Sequence, residues 1–243
     1  MRLEGAGALV TGAGRRIGQA IAVGLAELGC DVAVHYHGSK QGAEETATAI
    51  RAAGRRAELI RGDLRDPIAA RGLADEAVRS LKRLDVVVNS AAVMVRQNVE
   101  EVTPESWDDT LDLNLRATFF VSQGAIPHLR RTRGKIVNIA DLAGLEPWPA
   151  YATHCISKAG VVMLTKALAR ALAPDIAVNA VAPGAVLLPD EWDEEASAHI
   201  RETTPLKRLG APADVVAAVR FLLSDTDYVT GTILVVDGGR LIR

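Results

Sequence analysis

The sequence predicts a single-domain α/β protein with a doubly wound parallel sheet of about seven strands flanked by helices. Short apolar runs alternate with longer amphipathic runs, a pattern typical of parallel βαβ units. The 243 residues suit one large domain, and no repeat, low-complexity linker or charge block divides residues 1–243. Right-handed crossovers between such units give a doubly wound sheet, whose ligands bind at the carboxyl ends of the strands.

Seven short apolar runs are the expected strands. Most are apolar throughout, as strands buried on both faces of a sheet are. In chain order they are AGALVT (6–11), DVAVHY (31–36), AELI (57–60), LDVVVNSAA (84–92), KIVNIAD (135–141), IAVNAVAPG (176–184) and TILVVDGG (232–239). Their number gives the expected width of the sheet.

The amphipathic runs between these strands are the expected helices. Ile17 and Ile21 lie on one face of the first run, because they are about one helical turn apart. Proline directly after a capping residue marks the start of two others, at Asp66-Pro67 and at Thr103-Pro104. The expected helices cover residues 16–28, 40–53, 66 onward, 104–131, 151–172 and 213–223. Residues 185–209 show no strong period.

Composition excludes several classes of function. With 28 basic and 30 acidic residues the net charge is −2, which does not fit a general nucleic-acid binder. The only cysteines, Cys30 and Cys155, are too few for a disulfide framework, and no cluster has metal-ligand spacing. The sequence contains no run of 18 apolar residues and no signal-like core at its start. We therefore expect a soluble, cytoplasmic protein that binds neither a metal, nor nucleic acid, nor a membrane.

A glycine-rich turn follows the first strand. The segment TGAGRRIG (11–18) lies between a strand and a helix, the context in which such glycines bind a dinucleotide. Gly12 and Gly14 let the backbone approach a pyrophosphate, and Gly18 lets the helix pack closely on the sheet. The helix start supplies amide donors and a partial positive charge. This predicts a Rossmann-type dinucleotide site; the alternative is a tight turn without a ligand.

The end of the second strand indicates which dinucleotide is bound. An acidic residue here binds the ribose 2′-hydroxyl in NAD sites, but HYHGSK (35–40) contains none. Arg15 and Arg16 on the glycine loop, with His37 and Ser39, offer cationic and hydroxyl donors suited to a 2′-phosphate. NADP(H) is therefore favoured over NAD, although His37 could also belong to a solvated loop.

Two further strand ends face the same edge of the sheet. Asp63 follows the third strand and could receive the adenine amino group, or could cap the helix that starts at Pro67. Asn89 and Ala91 belong to NSAA (89–92), whose small residues leave room for a cofactor at the end of the fourth strand. These residues complete the expected nucleotide half of the site.

Ordered motifs along the chain carry a family resemblance. They are TGAGRRIG (11–18), NSAA (89–92), LDLNLRA (111–117), KIVNIADLAG (135–144), SKAG (157–160), NAVAPG (179–184) and VTGTILVVDGG (229–239). Together they resemble the short-chain dehydrogenase/reductase family over essentially the whole chain. Within it, RRIG, HYHGS and Asp141 are most similar to pteridine reductases, which reduce pterins or folates with NADPH. The resemblance adds further cofactor-binding residues: Ile17, Leu64, Lys158, Pro183, Gly184 and Val186.

The resemblance also implies a catalytic set of Asn, Ser, Tyr and Lys. The Asn maps to Asn114 and the Lys to Lys158, while Asp141 stands at the Ser position, as in pteridine reductases. His154 stands at the Tyr position, four residues before Lys158, which puts both side chains on one helix face. Three readings stay open: His154 is the working acid, Tyr151 or a water replaces it, or the reductase chemistry is lost.

The chemistry of an imidazole bears on these readings. Imidazole exchanges protons near neutral pH without help, whereas a phenol needs a nearby lysine to do so. Lys158 disfavours the cationic form of His154, and Asp141 favours it. Asp141 and His154 are thus either a proton relay or a structural ion pair.

The substrate side is less typical of pteridine reductases. These enzymes place an aromatic residue after the fourth-strand motif, where this chain has Val93-Met94-Val95. Met94, Tyr151 and Trp192 are the candidate substrate contacts, and residues 185–209 are the expected substrate lid. We expect an NADPH-dependent reductase of a C=O or C=N bond in a small, pterin-like molecule. The alternative is a non-catalytic NADP(H)-binding sensor or scaffold subunit. By analogy the protein is a homotetramer.

Overall fold

The sheet has the expected parallel, doubly wound topology. A computed structural model describes residues 1–188 and 193–242, except for the side chain of residue 196. Within these residues, seven parallel strands form one sheet in the order β3-β2-β1-β4-β5-β6-β7. Their bounds are β1 (Gly7–Val10), β2 (Asp31–Tyr36), β3 (Ala57–Arg61), β4 (Val86–Asn89), β5 (Lys135–Ile139), β6 (Ala177–Pro183) and β7 (Ile233–Val236).

Helices connect the strands in chain order. Their bounds are α1 (Arg16–Glu27), α2 (Lys40–Ala52), α3 (Pro67–Leu81), α4 (Pro104–Leu111), α5 (Ala117–Thr132), α6 (Ala152–Leu172), α7 (Glu194–Thr203) and α8 (Pro212–Arg220). The two proline-marked starts are confirmed. Asp66 accepts a hydrogen bond from the backbone N–H of Ile68, and Thr103 accepts one from that of Ser106.

The strand order reverses between β1 and β4, which are neighbours in the centre of the sheet. Val10 of β1 is in register with Val34 on one side and with Val88 on the other. Chain leaving β1 therefore runs toward one edge and chain leaving β4 toward the other. The carboxyl ends of these two strands open into a crevice, the place where ligands bind in such sheets.

The core consists of two layers of aliphatic side chains, one on each face of the sheet. Ile21 and Leu25 of α1 are buried on one face, in a cluster that also includes Val215 of α8. Leu73 of α3 and Leu129 of α5 are buried on the other face. Burying one such side chain stabilises the fold by about 1.5–3 kcal/mol. The two layers therefore stabilise the sheet whose strand ends form the site.

Two segments differ from the sequence expectation. The expected helix over 104–131 contains a π-helical turn at Asp112–Arg116, between α4 and α5. Helix α7 lies within residues 185–209, where no strong period was found, because this short helix is mostly exposed and acidic at its start. The candidate substrate residue Trp192 lies outside the described residues. Among the described helices, none is both long and apolar enough to cross a membrane.

Candidate active site and cofactor cleft

The glycine loop after β1 is packed too closely for side chains. Gly12 has a φ of +65°, and a Cβ there would lie 2.8 Å from the Cα of Ala91. A Cβ on Gly14 would lie 2.8 Å from the carbonyl oxygen of Ser39, and one on Gly18 would overlap the carbonyl of Gly12. These close approaches bring the loop, the start of α1 and the start of α2 together.

The two arginines of this loop have different surroundings. Arg15 is exposed, whereas Arg16 donates hydrogen bonds from Nη2 to the carbonyl oxygens of Leu187 (2.6 Å) and Leu188 (3.3 Å). The guanidinium of Arg16 thus contacts the segment after β6. This contact was not expected from the sequence, which placed both arginines toward the end of β2. Ile17 is half-buried behind them.

The end of β2 presents a hydroxyl at a helix start. His37 is exposed, and Ser39 is the residue before α2. The Ser39 hydroxyl makes no capping hydrogen bond within the described part of the chain, so it and the first N–H groups of α2 can bind an anion. This is the region in which the sequence predicts the 2′-phosphate.

At the end of β3, the helix-cap alternative for Asp63 is wrong, because Asp66 is the cap. Asp63 Oδ1 instead accepts the N–H of Arg65 at 3.0 Å. Burial raises the pKa of Asp63, but the hydrogen bond from Arg65 and the charges of His37 and Arg65 outweigh it and lower the pKa. An ionised carboxylate therefore stays at this strand end.

A shallow crevice lies between the ends of β1, β3 and β4 and the start of α5. The three predicted cofactor residues that line it are Leu64, Asn89 and Ala91. Asn89 Nδ2 donates to Ser122 Oγ (3.0 Å) and to Asn138 Oδ1 (2.8 Å), which joins β4 to β5 and α5. Sequence reasoning missed Ser122 and Asn138, because single polar residues in apolar runs carry no motif of their own.

The last predicted cofactor residues follow β6. Pro183 ends the strand, and the Gly184 N–H donates to the carbonyl of Val236 at 2.9 Å. A Cβ on Gly184 would lie 2.8 Å from Cβ of Asp237, so only glycine fits beside β7. Val186 is buried, and its Cγ2 lies against Gly210. These residues thus lie at the carboxyl end of β6, at the same edge of the sheet as the ends of β1 and β4.

Asn114 lies in the π-helical turn and is fully buried. Its side chain exchanges two hydrogen bonds with the backbone of Val93: Nδ2 donates to the carbonyl (2.9 Å), and the N–H of Val93 donates to Oδ1 (2.8 Å). Nδ2 also donates to Ser157 Oγ at 3.0 Å. Asn114 therefore fixes the loop after β4 against α6, a common use of π-helical turns at functional sites.

His154 lies in the first turns of α6 and is 3% exposed. Nδ1 lies 3.1 Å from the carbonyl oxygen of Val93, so this nitrogen carries a hydrogen. Nε2 lies 3.7 Å from Asp141 Oδ2, within ion-pair range but beyond a hydrogen bond, and has no hydrogen-bond partner among the described residues. Nε2 is therefore the ring nitrogen that is left to bond a ligand, with the Asp141 carboxylate beside it.

Asp141 reaches His154 from a short 3₁₀ turn, Leu142–Gly144. Its Oδ1 accepts the N–H of Ala143 at 2.8 Å, which leaves Oδ2 to face the imidazole. A Cβ on Gly144 would lie 2.8 Å from both the carbonyl carbon and oxygen of Lys158. The absence of that Cβ lets the turn approach α6 closely.

Lys158 lies one helical turn beyond His154 and is buried. Burial lowers the pKa of its ammonium group, and the nearby charge of Asp141 partly offsets this. Across the described ranges, Nζ donates one hydrogen bond, to the carbonyl of Ile139 at 2.8 Å. An ammonium group has three donors, so two remain for a ligand.

The candidate substrate residues lie around this cluster. Met94 follows Val93 and is 43% exposed. Tyr151 is half-buried at the start of α6 and packs edge-on against Trp148, with ring centroids 6.1 Å apart. The carbonyl of Ala150 accepts the N–H of Gln97, so the loop after β4 and the turn before α6 form one rim. Over the described residues, no group of three metal-ligating side chains exists.

The cluster of a buried lysine, a histidine and a carboxylate beside a glycine loop suits proton exchange next to a bound dinucleotide. A family model described as Enoyl-(Acyl carrier protein) reductase matches residues 12–240 of this chain. The chain is 39% identical over 237 residues to the 3-oxoacyl-[acyl-carrier-protein] reductase FabG of Staphylococcus aureus (strain Mu50), covering 96% of each chain. It belongs to the short-chain dehydrogenase/reductase family.

Two further proteins are similar to this chain over nearly its whole length. The 3beta-hydroxysteroid dehydrogenase 1 of Eggerthella lenta is 38% identical, with 98% of this chain and 94% of that protein covered. A blue fluorescent protein from a metagenomic library, solved in complex with NADPH, superposes with a TM-score of 0.92 at 33% identity and 99% coverage of both chains. The chain is thus an oxidoreductase of the short-chain dehydrogenase/reductase type, and the predicted fold and family are confirmed.

Proposed function

We propose that this chain is an NADPH-dependent reductase of a carbonyl group in a small molecule, with His154 as the proton donor. The observation that carries the proposal is the buried Nε2 of His154. It faces Asp141 Oδ2 at 3.7 Å and lacks a hydrogen-bond partner within the described structure. A buried polar nitrogen without a partner is unfavourable unless a ligand completes it. A substrate oxygen is the acceptor that this nitrogen lacks.

The residues around the cleft fit a nicotinamide dinucleotide. A Cβ on Gly12 would meet Ala91 and one on Gly14 would meet Ser39, so these glycines let the loop lie close to the ends of β4 and β2. Glycines at these positions after the first strand are the pattern that binds a dinucleotide pyrophosphate. Within the described residues, the Ser39 hydroxyl at the start of α2 makes no capping hydrogen bond and suits a 2′-phosphate. Over the same residues Lys158 donates one hydrogen bond, which leaves two donors for ribose hydroxyls. NADPH in the complex of the metagenomic relative supports the same choice. When bound, NADPH supplies the hydride of the reduction.

The side chains of this chain handle the proton. Protonated His154 donates from Nε2 to the substrate oxygen as negative charge develops there. The ring is left neutral, with Nδ1–H still bonded to the carbonyl of Val93. Asp141 stabilises the charged form before transfer, and Asn114 holds Val93 and so the ring. Solvent then returns a proton to Nε2.

The names of the relatives favour a ketone as substrate. A 3-oxoacyl reductase and a 3β-hydroxysteroid dehydrogenase both act at a carbon that carries a ketone or its alcohol. Met94 and Tyr151 give the site a partly apolar rim, which suits such molecules. A pterin C=N bond, which the sequence resemblance suggested, would lie against Met94 without an aromatic neighbour from that loop. We therefore rank a ketone first and a pterin second.

We further propose a cytoplasmic homotetramer. Both cysteines lack a disulfide in the described residues, which fits a reducing compartment. Phe119 of α5 with Ile156 and Met163 of α6 are exposed apolar residues on the two long helices. Light scattering of the purified protein should give four times the chain mass.

The test is NADPH oxidation by the purified protein with a short-chain 3-oxoacyl thioester, a 3-ketosteroid, dihydrobiopterin and dihydrofolate. NADPH titration by fluorescence runs in parallel. The proposal predicts binding and turnover, with the ketones ahead of the pterins. Binding without turnover, combined with activity gained in His154→Tyr, would instead identify a non-catalytic NADP(H)-binding subunit. No NADPH binding at all would refute both functions.

A further inference from the structure

His35 joins two parts of the proposed cofactor cleft. It lies near the end of β2 and is 2% exposed. Its Nδ1 accepts the backbone N–H of Gly12 at 3.2 Å, and its Nε2 lies 3.2 Å from the carbonyl oxygen of Gly62. Its own carbonyl accepts the N–H of Ala13 at 2.9 Å. One side chain therefore bonds the glycine loop and the segment before Asp63 at once.

These partners determine the protonation of the ring. Gly12 offers a donor, so Nδ1 must have its lone pair free, and Gly62 offers an acceptor, so Nε2 must carry the hydrogen. The imidazolium would place an N–H against the N–H of Gly12. Burial accordingly lowers the pKa of His35 to about 4, helped by the charge of His37 and opposed by the Gly62 bond and Asp63. The ring is neutral at physiological pH.

The joined segments are those that would hold the dinucleotide. Gly12, in the left-handed region and against Ala91, begins the loop for the pyrophosphate. Gly62 directly precedes Asp63 and Leu64, the predicted adenine side. We propose that His35 is a positioning residue that sets the glycine loop and the Asp63 segment at the separation a dinucleotide requires. This inference rests on the proposed cofactor binding, and His35 itself touches no reacting atom.

Three substitutions distinguish the contributions of the two hydrogen bonds that the His35 ring makes. In His35→Asn, the side-chain oxygen can replace Nδ1 and accept the N–H of Gly12. In His35→Gln, the amide lies near the position of Nε2, so only the bond to the carbonyl of Gly62 can be kept. His35→Leu removes both groups. Because a buried N–H left without a partner is costly, we expect the NADPH Kd to rise about tenfold in His35→Leu and His35→Gln, and about threefold or less in His35→Asn. The kcat at saturating NADPH should stay within about threefold of wild type, since no reacting group changes.

The control is Val34→Ala, in the same strand and equally buried, whose side chain lies on the opposite face of the sheet and has no polar group to bond the glycine loop. All variants are titrated with NADPH by fluorescence at a temperature where circular dichroism shows them folded. Affinity loss in the Gln and Leu variants with recovery in the Asn variant supports the proposal. Unchanged affinity in a folded Leu or Gln variant, or an equal loss in Val34→Ala, overturns it. Wild-type protein that does not bind NADPH refutes the proposed function itself.

Discussion

At the scale of single residues, the site is governed by which atoms accept and which donate. His154 lies between two acceptor oxygens, while His35 lies between a donor and an acceptor. The second arrangement requires a neutral ring with the hydrogen on Nε2. The same residue type therefore has two different hydrogen-bond surroundings, which no composition argument could reveal.

Asp141→Asn tests the charge beside His154. The amide keeps an oxygen for the N–H of Ala143 but no longer stabilises the imidazolium. We expect kcat for ketone reduction to fall about ten- to hundredfold, in the range of general-acid effects. Stopped-flow NADPH oxidation at saturating NADPH measures this rate; an unchanged kcat would contradict the role of Asp141.

The depressed pKa of His35 makes stability depend on pH. The folded state holds the ring neutral with a pKa of about 4, against an ordinary value of 6.5, so the unfolded state binds the proton first as pH falls. This contribution is present above pH 6.5 and is lost between pH 6.5 and 4, by about 3 kcal/mol at most. Urea unfolding should show the loss in wild type and a smaller one in His35→Asn. If the free energy of unfolding falls equally with pH in both proteins, His35 is not the source of the loss.

At the scale of elements, two short irregular turns and the start of α6 position the catalytic cluster. The π-helical turn carries Asn114, the 3₁₀ turn carries Asp141, and the first turns of α6 carry His154. Each regular element is held by apolar packing, whereas these turns are held by polar bonds to the backbone. The cluster depends on how closely the 3₁₀ turn approaches α6.

Gly144→Ala tests that approach. The added methyl would meet the backbone of Lys158 at 2.8 Å, so the turn must move and carry Asp141 away from His154. We expect kcat to fall about tenfold or more, because small displacements of a catalytic group are strongly felt. NADPH affinity should change little. Gly72→Ala is the control: its methyl meets nothing within 4 Å on α3, and stability should rise by about 0.5–1 kcal/mol with activity unchanged.

The regular elements could be predicted from sequence, and the irregular ones could not. The strands were evident because runs such as VVVN and DVAVHY are buried on both faces of the sheet. The π-helical turn could not be predicted because its five residues, Asp112–Arg116, are too few to show a period of their own. Helix α7 was missed because exposed acidic residues do not form such a stripe. His154 and Lys158 were placed correctly by helical spacing, but the bonds to Val93 and Ser157 required the folded chain.

At the scale of the whole molecule, the cleft exists because the strand order reverses at β1 and β4. Four loops that are far apart in sequence meet there: those after β1, β3, β4 and β6. A ligand that contacts all four loops connects the two halves of the sheet. Ligand binding should therefore raise the free energy of unfolding of the whole chain.

Thermal unfolding tests this coupling. NADPH at one hundred times its Kd should stabilise the chain by about 2.7 kcal/mol, which corresponds to roughly 5–10 °C in Tm for a domain of this size. NADH at the same concentration should give a smaller shift, because it lacks the phosphate for Ser39 and the start of α2. A larger shift with NADH would contradict the cofactor preference.

The central claim is that the imidazole of His154 delivers the proton in a reduction driven by NADPH. The most direct measurement is single-turnover NADPH oxidation by wild type and His154→Ala with the best ketone substrate, alongside NADPH titration. His128→Ala, which alters a histidine paired with Asp75 away from the cleft, is the matched control. We predict a fall of about a hundredfold or more in His154→Ala, with NADPH affinity within about threefold and His128→Ala unchanged. Equal rates in wild type and His154→Ala would contradict the account.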